Sequence, residues 1–103
     1  MASIKVRANA QGGVTTVKCL ISHPMETGQR KDSKTGKLIP AHFIQEVNAD
    51  HNGSNVLTAL WGPAISKNPY LSFKFSGGNA GDTLKISWVD NMGNSDSTET
   101  TIS

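Results

Sequence analysis

Cys19, His23 and Met25 stand close together in the run Cys19-x3-His23-x-Met25, with His42, His51 and Met92 further along the chain. Soft sulfur and imidazole donors in one short run are the chemistry of a copper loop. One reading is therefore a small periplasmic copper-binding β-sandwich domain that uses His23, Met25 and a third ligand. Against it, the second histidine such a site needs comes only downstream, at His42 or His51, and a single His-x-Met pair before a turn is weak patterning. Zinc is disfavoured because paired Cys and His ligands are missing. The expectation is no metal and no cofactor. Nucleophilic catalysis finds no support either: Gly-x-Ser-x-Gly is absent, and Ser22 and His23 are neighbours whose side chains point to opposite faces of a strand. Gly77-Gly78-x-x-Gly81 lacks the Gly-Lys-Ser/Thr ending of a phosphate loop and reads as a turn. No catalytic residue is expected, and the chain does not read as an enzyme.

These residues sit in a sequence dominated by a period of two. Ile4, Val6 and Ala8 alternate with Lys5, Arg7 and Asn9, and Gln11-Gly12-Gly13 turns the chain. Val17, Cys19 and Ile21 share one strand face opposite Thr16, Lys18 and Leu20. Cys19 is thus expected to be a small core residue, as free cysteines commonly are; a reactive thiol would want an exposed, electropositive setting. Ala41, Phe43, Val47 and Ala49 mark a third strand, interrupted on that face by Gln45. Asn52-Gly53 is the strongest hairpin signal, because both residues accept the positive φ of a tight turn. Leu57, Ala59 and Trp61 line the return strand. Leu71, Phe73 and Phe75 form a fifth, with Tyr70 alternating outward, and Leu84, Ile86 and Trp88 a sixth. Asp90-Asn91-Met92-Gly93-Asn94 turns into a Thr-rich last strand that ends at Ile102. About seven short strands separated by turns predict an all-β, immunoglobulin-like antiparallel sandwich, with residues 1–103 forming one domain.

Composition narrows the partners. The hydrophobic share of 36% makes a lean core, so a partner covering extra apolar surface would help. A formal net charge of +2 argues against nucleic acid as the main partner. The one cysteine cannot close an intrachain disulfide. No stretch of about eighteen apolar residues occurs, so no membrane span is expected. Lys5 and Arg7 have no apolar stretch behind them, and the start does not read as a signal peptide. Two loops, His23 to Pro40 and Gly62 to Pro69, are longer than hairpins need, and long loops on a rigid sandwich are where recognition usually resides. Within the first, Arg30, Lys31, Lys34 and Lys37 are opposed only by Asp32. That cluster reads as a solvated loop or as a patch steering an anionic partner; without interleaved aromatics it is not a single-strand nucleic-acid platform.

At these loops the sequence resembles a known family. Leu20-Ile21-Ser22-His23-Pro24-Met25-Glu26-Thr27-Gly28-Gln29-Arg30-Lys31-Asp32 is similar to the signature segment of the SoxZ family of sulfur-oxidation proteins. Ile39-Pro40-Ala41-His42-Phe43-Ile44 and the run from Trp61 to Tyr70 are similar to two further segments, in the same order and spacing. The resemblance covers nearly the whole chain. It implies a non-catalytic, immunoglobulin-like subunit that forms a heterodimer with SoxY, the pair carrying thiosulfate-derived sulfur in the periplasm and visiting other Sox enzymes transiently. In that family the intermediates ride on a cysteine in a Gly-Gly-Cys-Gly-Gly tail, and the tail belongs to SoxY. This sequence ends Thr98-Glu99-Thr100-Thr101-Ile102-Ser103, so the covalent carrier role transfers to no residue here. The resemblance further implies export together with SoxY, which carries the twin-arginine signal. For the partner interface the residues expected to act as anchors are Met25, Arg30 and Tyr70, chosen for expected exposure and loop position.

Overall fold

The computed structural model describes residues 3–62 and 64–103. Met1, Ala2 and Pro63, the last of them inside the Trp61–Tyr70 segment, lie outside the described residues. Alternating side chains generate seven strands: β1 (Ile4–Gln11), β2 (Val14–Ile21), β3 (Ile44–His51), β4 (Ser54–Leu60), β5 (Tyr70–Ser76), β6 (Thr83–Asp90) and β7 (Ser95–Thr101). They form two antiparallel sheets, β1-β2-β5 and β4-β3-β6-β7, which is the expected sandwich. The turns obey local chemistry. Asn52 and Gly53 take φ of 48° and 88°, and Gly12 and Gly13 take 60° and 82°, the paired positive values of a two-residue hairpin whose twist matches its strands.

The inward faces meet in one apolar cluster. Val17, Ile21, Ile44, Val47, Leu84, Ile86 and Ile102 are fully buried, each worth roughly 1.5–3 kcal/mol of apolar burial. Trp61, Leu71, Phe73 and Phe75 pack against this cluster while half-buried. The chain end closes the sandwich: the Ser103 N–H donates to the Ala8 carbonyl and the Ala10 N–H to the Ser103 carbonyl, at 3.0 and 2.9 Å.

Two details depart from simple alternation. The third strand begins at Ile44, not at Ala41, and a β-bulge between Ile44 and Glu46 shifts its pairing with β6. The bulge lets Ile44, Val47 and Ala49 all face inward while Gln45 stays exposed. The second departure is the His23–Pro40 loop, which folds back on itself. Glu26 and His42 bridge its base, Lys31 and Leu38 its far end. The loop is thus a ribbon leading away from β2 and returning to β3.

Candidate functional site

Where β2 leaves the sandwich, Ile21 is followed by His23, Pro24 and Met25, and here all three family-like segments converge. The His23 N–H donates to the Asn68 side-chain oxygen at 3.1 Å, and the Asn68 N–H donates back to the His23 carbonyl at 3.0 Å. Asn68 manages this with a φ of 51°, and Met25 turns the chain with a φ of 48°. The Met25 N–H then points at the His23 ring and donates to Nδ1 at 3.1 Å. An amide can only donate, so Nδ1 must be the bare nitrogen and the ring proton resides on Nε2.

That proton is directed at Asp90. His23 Nε2 lies 3.0 Å from Asp90 Oδ2, and His42 Nε2 reaches the same oxygen at 2.7 Å from the returning arm of the ribbon. The other oxygen, Oδ1, accepts the N–H groups of Met92 and Asn94 at 3.0 and 2.9 Å. The Asp90 carboxyl is wholly enclosed, with no side-chain surface exposed. Burial pushes its pKa up, but the hydrogen bonds from His23, the Asn94 backbone, His42 and the Met92 backbone outweigh burial and hold the carboxyl below the usual carboxylate range. Around this centre, His23 packs edge-on to Trp88 at 5.2 Å and to His42 at 4.5 Å. Asn91, next in sequence, receives the Phe43 N–H at its side-chain oxygen and donates to the Ala41 carbonyl. The β6–β7 turn, the ribbon and the loop before β5 are thereby joined through one buried carboxylate and two imidazoles.

A His-His-carboxylate group with ligand atoms within 4.8 Å of one another invites a metal. The donor set does not fit one. A metal-bound imidazole ordinarily donates its second N–H to an acceptor, whereas the second nitrogen of His23 receives a backbone N–H. Both of its nitrogens are committed, and Met25 sulfur accepts the Ile44 N–H at 3.4 Å inside the core. With Nδ1 accepting an amide and Nε2 carrying the proton, the copper arrangement of His23 with Met25 has no free imidazole lone pair to offer. His51 is taken up elsewhere, bonded to Asp82 at 2.8 Å, and the Met92 side chain is exposed. Among the described residues the hydrogen-bond partners of this cluster are imidazoles, backbone amides and asparagine amides, with no hydroxyl or thiol among them. It is a latch that fixes loops.

Of the residues expected to anchor a partner, Tyr70 is 60% exposed at the start of β5. Arg30 is exposed and forks onto Glu26, with bonds of 3.1 and 2.6 Å. Met25 differs from its expected exposure: it is 5% exposed, because its turn drives the side chain inward against Ile44. The structure does not bring these three into one patch with shared contacts. Asp90 was missed as a site residue, being read as a turn former. The signal was present, for Leu84, Ile86 and Trp88 continue by twos to Asp90, which puts it on the inward face.

Cys19 lies between Val17 and Ile21 at 1% exposure, and burial pushes its thiol up to about 11 despite a backbone hydrogen bond with Leu71. At neutral pH it is a protonated core group. Cys19→Ala should lower stability by about 1 kcal/mol in urea unfolding, and the native thiol should react with a maleimide far more slowly than after unfolding.

Among families, the one described as sulphur oxidation protein SoxZ matches residues 4–101. No curated protein matches the chain at a meaningful level. A match across almost the whole chain, spanning the sandwich and the three loop segments that meet at Asp90, carries the conclusion: the chain belongs to the SoxZ family of sulfur-oxidation proteins.

Proposed function

We propose that the chain is a non-catalytic partner subunit of a sulfur-carrier heterodimer, holding and presenting a SoxY-type subunit whose C-terminal cysteine carries the sulfur intermediates of thiosulfate oxidation. The observation that carries this reading is the family match over residues 4–101. The geometry supports it. The one cysteine of this sequence is buried and protonated, which suits a subunit that leaves covalent chemistry to its partner. The loops that distinguish the chain are tied together by buried and part-buried hydrogen bonds, which suits presentation. The working compartment is the periplasm, reached together with the SoxY-type chain.

In a reconstituted thiosulfate-oxidising system, omission of this chain should abolish activity and Cys19→Ala should restore it fully. Loss of activity with a Cys19→Ala protein that remains folded and paired would contradict the non-covalent role. Tyr70, which stands exposed beside Leu20, is the proposed aromatic anchor. Tyr70→Ala should weaken the heterodimer by more than about 1 kcal/mol in calorimetric titration.

A further inference from the structure

The two outer sheet faces carry opposite charge. On β1-β2-β5 the outward positions include Lys5, Arg7, Lys18 and Lys74, and no acid. On β4-β3-β6-β7 they include Glu46, Asp50 and Glu99 with Lys85, three acids to one base. On the second face Lys85 stands in register between two acids, Asp50 on one side and Glu99 on the other, so opposite charges are neighbours although no ion pair closes between them. The first face does the reverse. Arg7 and Lys18 are direct cross-strand partners, an arrangement of like charges that weakens a sheet. Among the described residues none of its four cations forms an ion pair.

Apolar surface adjoins this charge. Leu20 and Tyr70 are register partners, 40% and 60% exposed, and Lys5 flanks Leu20 on the other side. A shallow groove of about 270 Å³ runs over Lys5, Arg7, Lys18, Leu20 and Tyr70. An aromatic and a leucine beside uncompensated cations is the composition of an interface anchor with a charged rim.

We infer that the outer face of the three-stranded sheet is a docking surface for an acidic protein surface, with Leu20 and Tyr70 as its apolar anchor and Lys5, Arg7, Lys18 and Lys74 as its electrostatic complement. The inference rests on the proposed pairing only in taking that partner to be the SoxY-type chain. Unpaired like charges that weaken the isolated sheet are relieved when carboxylates approach them, and such complementarity steers association and fixes register.

The test compares wild type, Lys18→Glu, Arg7→Glu/Lys18→Glu and, as a control of equal charge change on the ribbon, Lys34→Glu/Lys37→Glu. Each is titrated with the SoxY-type chain at about 50 mM and about 500 mM salt, where screening lengths differ severalfold. The sheet double variant should bind at least about thirtyfold more weakly at low salt, and the ribbon control within about threefold of wild type. Lys18→Glu should bind more weakly while its melting temperature holds or rises, because it gives Arg7 a cross-strand partner. Equal affinity of wild type and the sheet variant, or equal loss in both double variants, overturns the assignment. Should wild type not bind the SoxY-type chain at all, the pairing itself fails. Retention on immobilised poly-L-glutamate then decides the face: loss with the sheet variant alone supports it, and unchanged retention overturns it. A concentration-dependent dimer of the chain by itself, abolished in the sheet variant, would assign the face to a second copy and overturn the acidic partner.

Discussion

Asp90→Ala should lower the unfolding free energy by about 4 kcal/mol, a large part of what a domain of this size possesses. Removing the carboxylate takes the acceptor from the buried His23 Nε2–H and from the part-buried amides of Met92 and Asn94. Each buried, unmet donor costs about 1–3 kcal/mol. Asp90→Asn should do almost as badly although it preserves shape, because its amide NH2 must confront N–H donors on one side or the other. The pH dependence follows from the same bonds. The folded carboxyl titrates lower than the unfolded one, so its stabilisation is complete above about pH 4 and is lost as pH falls through the folded value. Wild type should therefore destabilise on acidification more steeply than Asp90→Ala. Glu26, Asp82 and Asp96 are also held low by their hydrogen bonds, and they contribute to the slope in both proteins. The difference between the two urea-unfolding series isolates Asp90; parallel pH profiles would contradict this account.

His23→Ala should cost about 3 kcal/mol, and His42→Ala about 1 kcal/mol, although both imidazoles touch the same oxygen. The difference comes from what else each ring does. The His23 side chain is 3% exposed, and its loss also strips the Met25 N–H of its acceptor. His42 is 27% exposed on its side chain, so water can replace it at Asp90. Since His23 and Asp90 serve one network, their effects should not add: the double variant should fall short of the summed single costs by about 1.5 kcal/mol or more. Additive costs would mean that the two residues stabilise separate parts of the fold.

Strand alternation made most of the fold legible. Val17, Cys19 and Ile21 face inward as their spacing requires, as do Leu84, Ile86 and Trp88, and Asn52-Gly53 forms the tight hairpin its residue types demand. The bulge at Ile44–Glu46 was not legible, because it depends on how β3 meets β6, some forty residues later. The latch was half-written in the sequence. Asp90 follows the inward series of β6, but its imidazole partners lie 67 and 48 residues away, and no local pattern announces a contact over that separation. Met25 was misplaced for a related reason: its left-handed turn, stabilised by the His23 ring, reverses where a loop methionine would otherwise point.

Whether this chain works by pairing is decided by sedimentation equilibrium of the purified chain mixed with the SoxY-type chain from the same source, at low micromolar concentration and neutral pH. A standard-size interface of about 1,600 Å² should give a single one-to-one complex, weakened by Tyr70→Ala and indifferent to Cys19→Ala. Two chains that sediment independently would contradict the carrier-subunit reading.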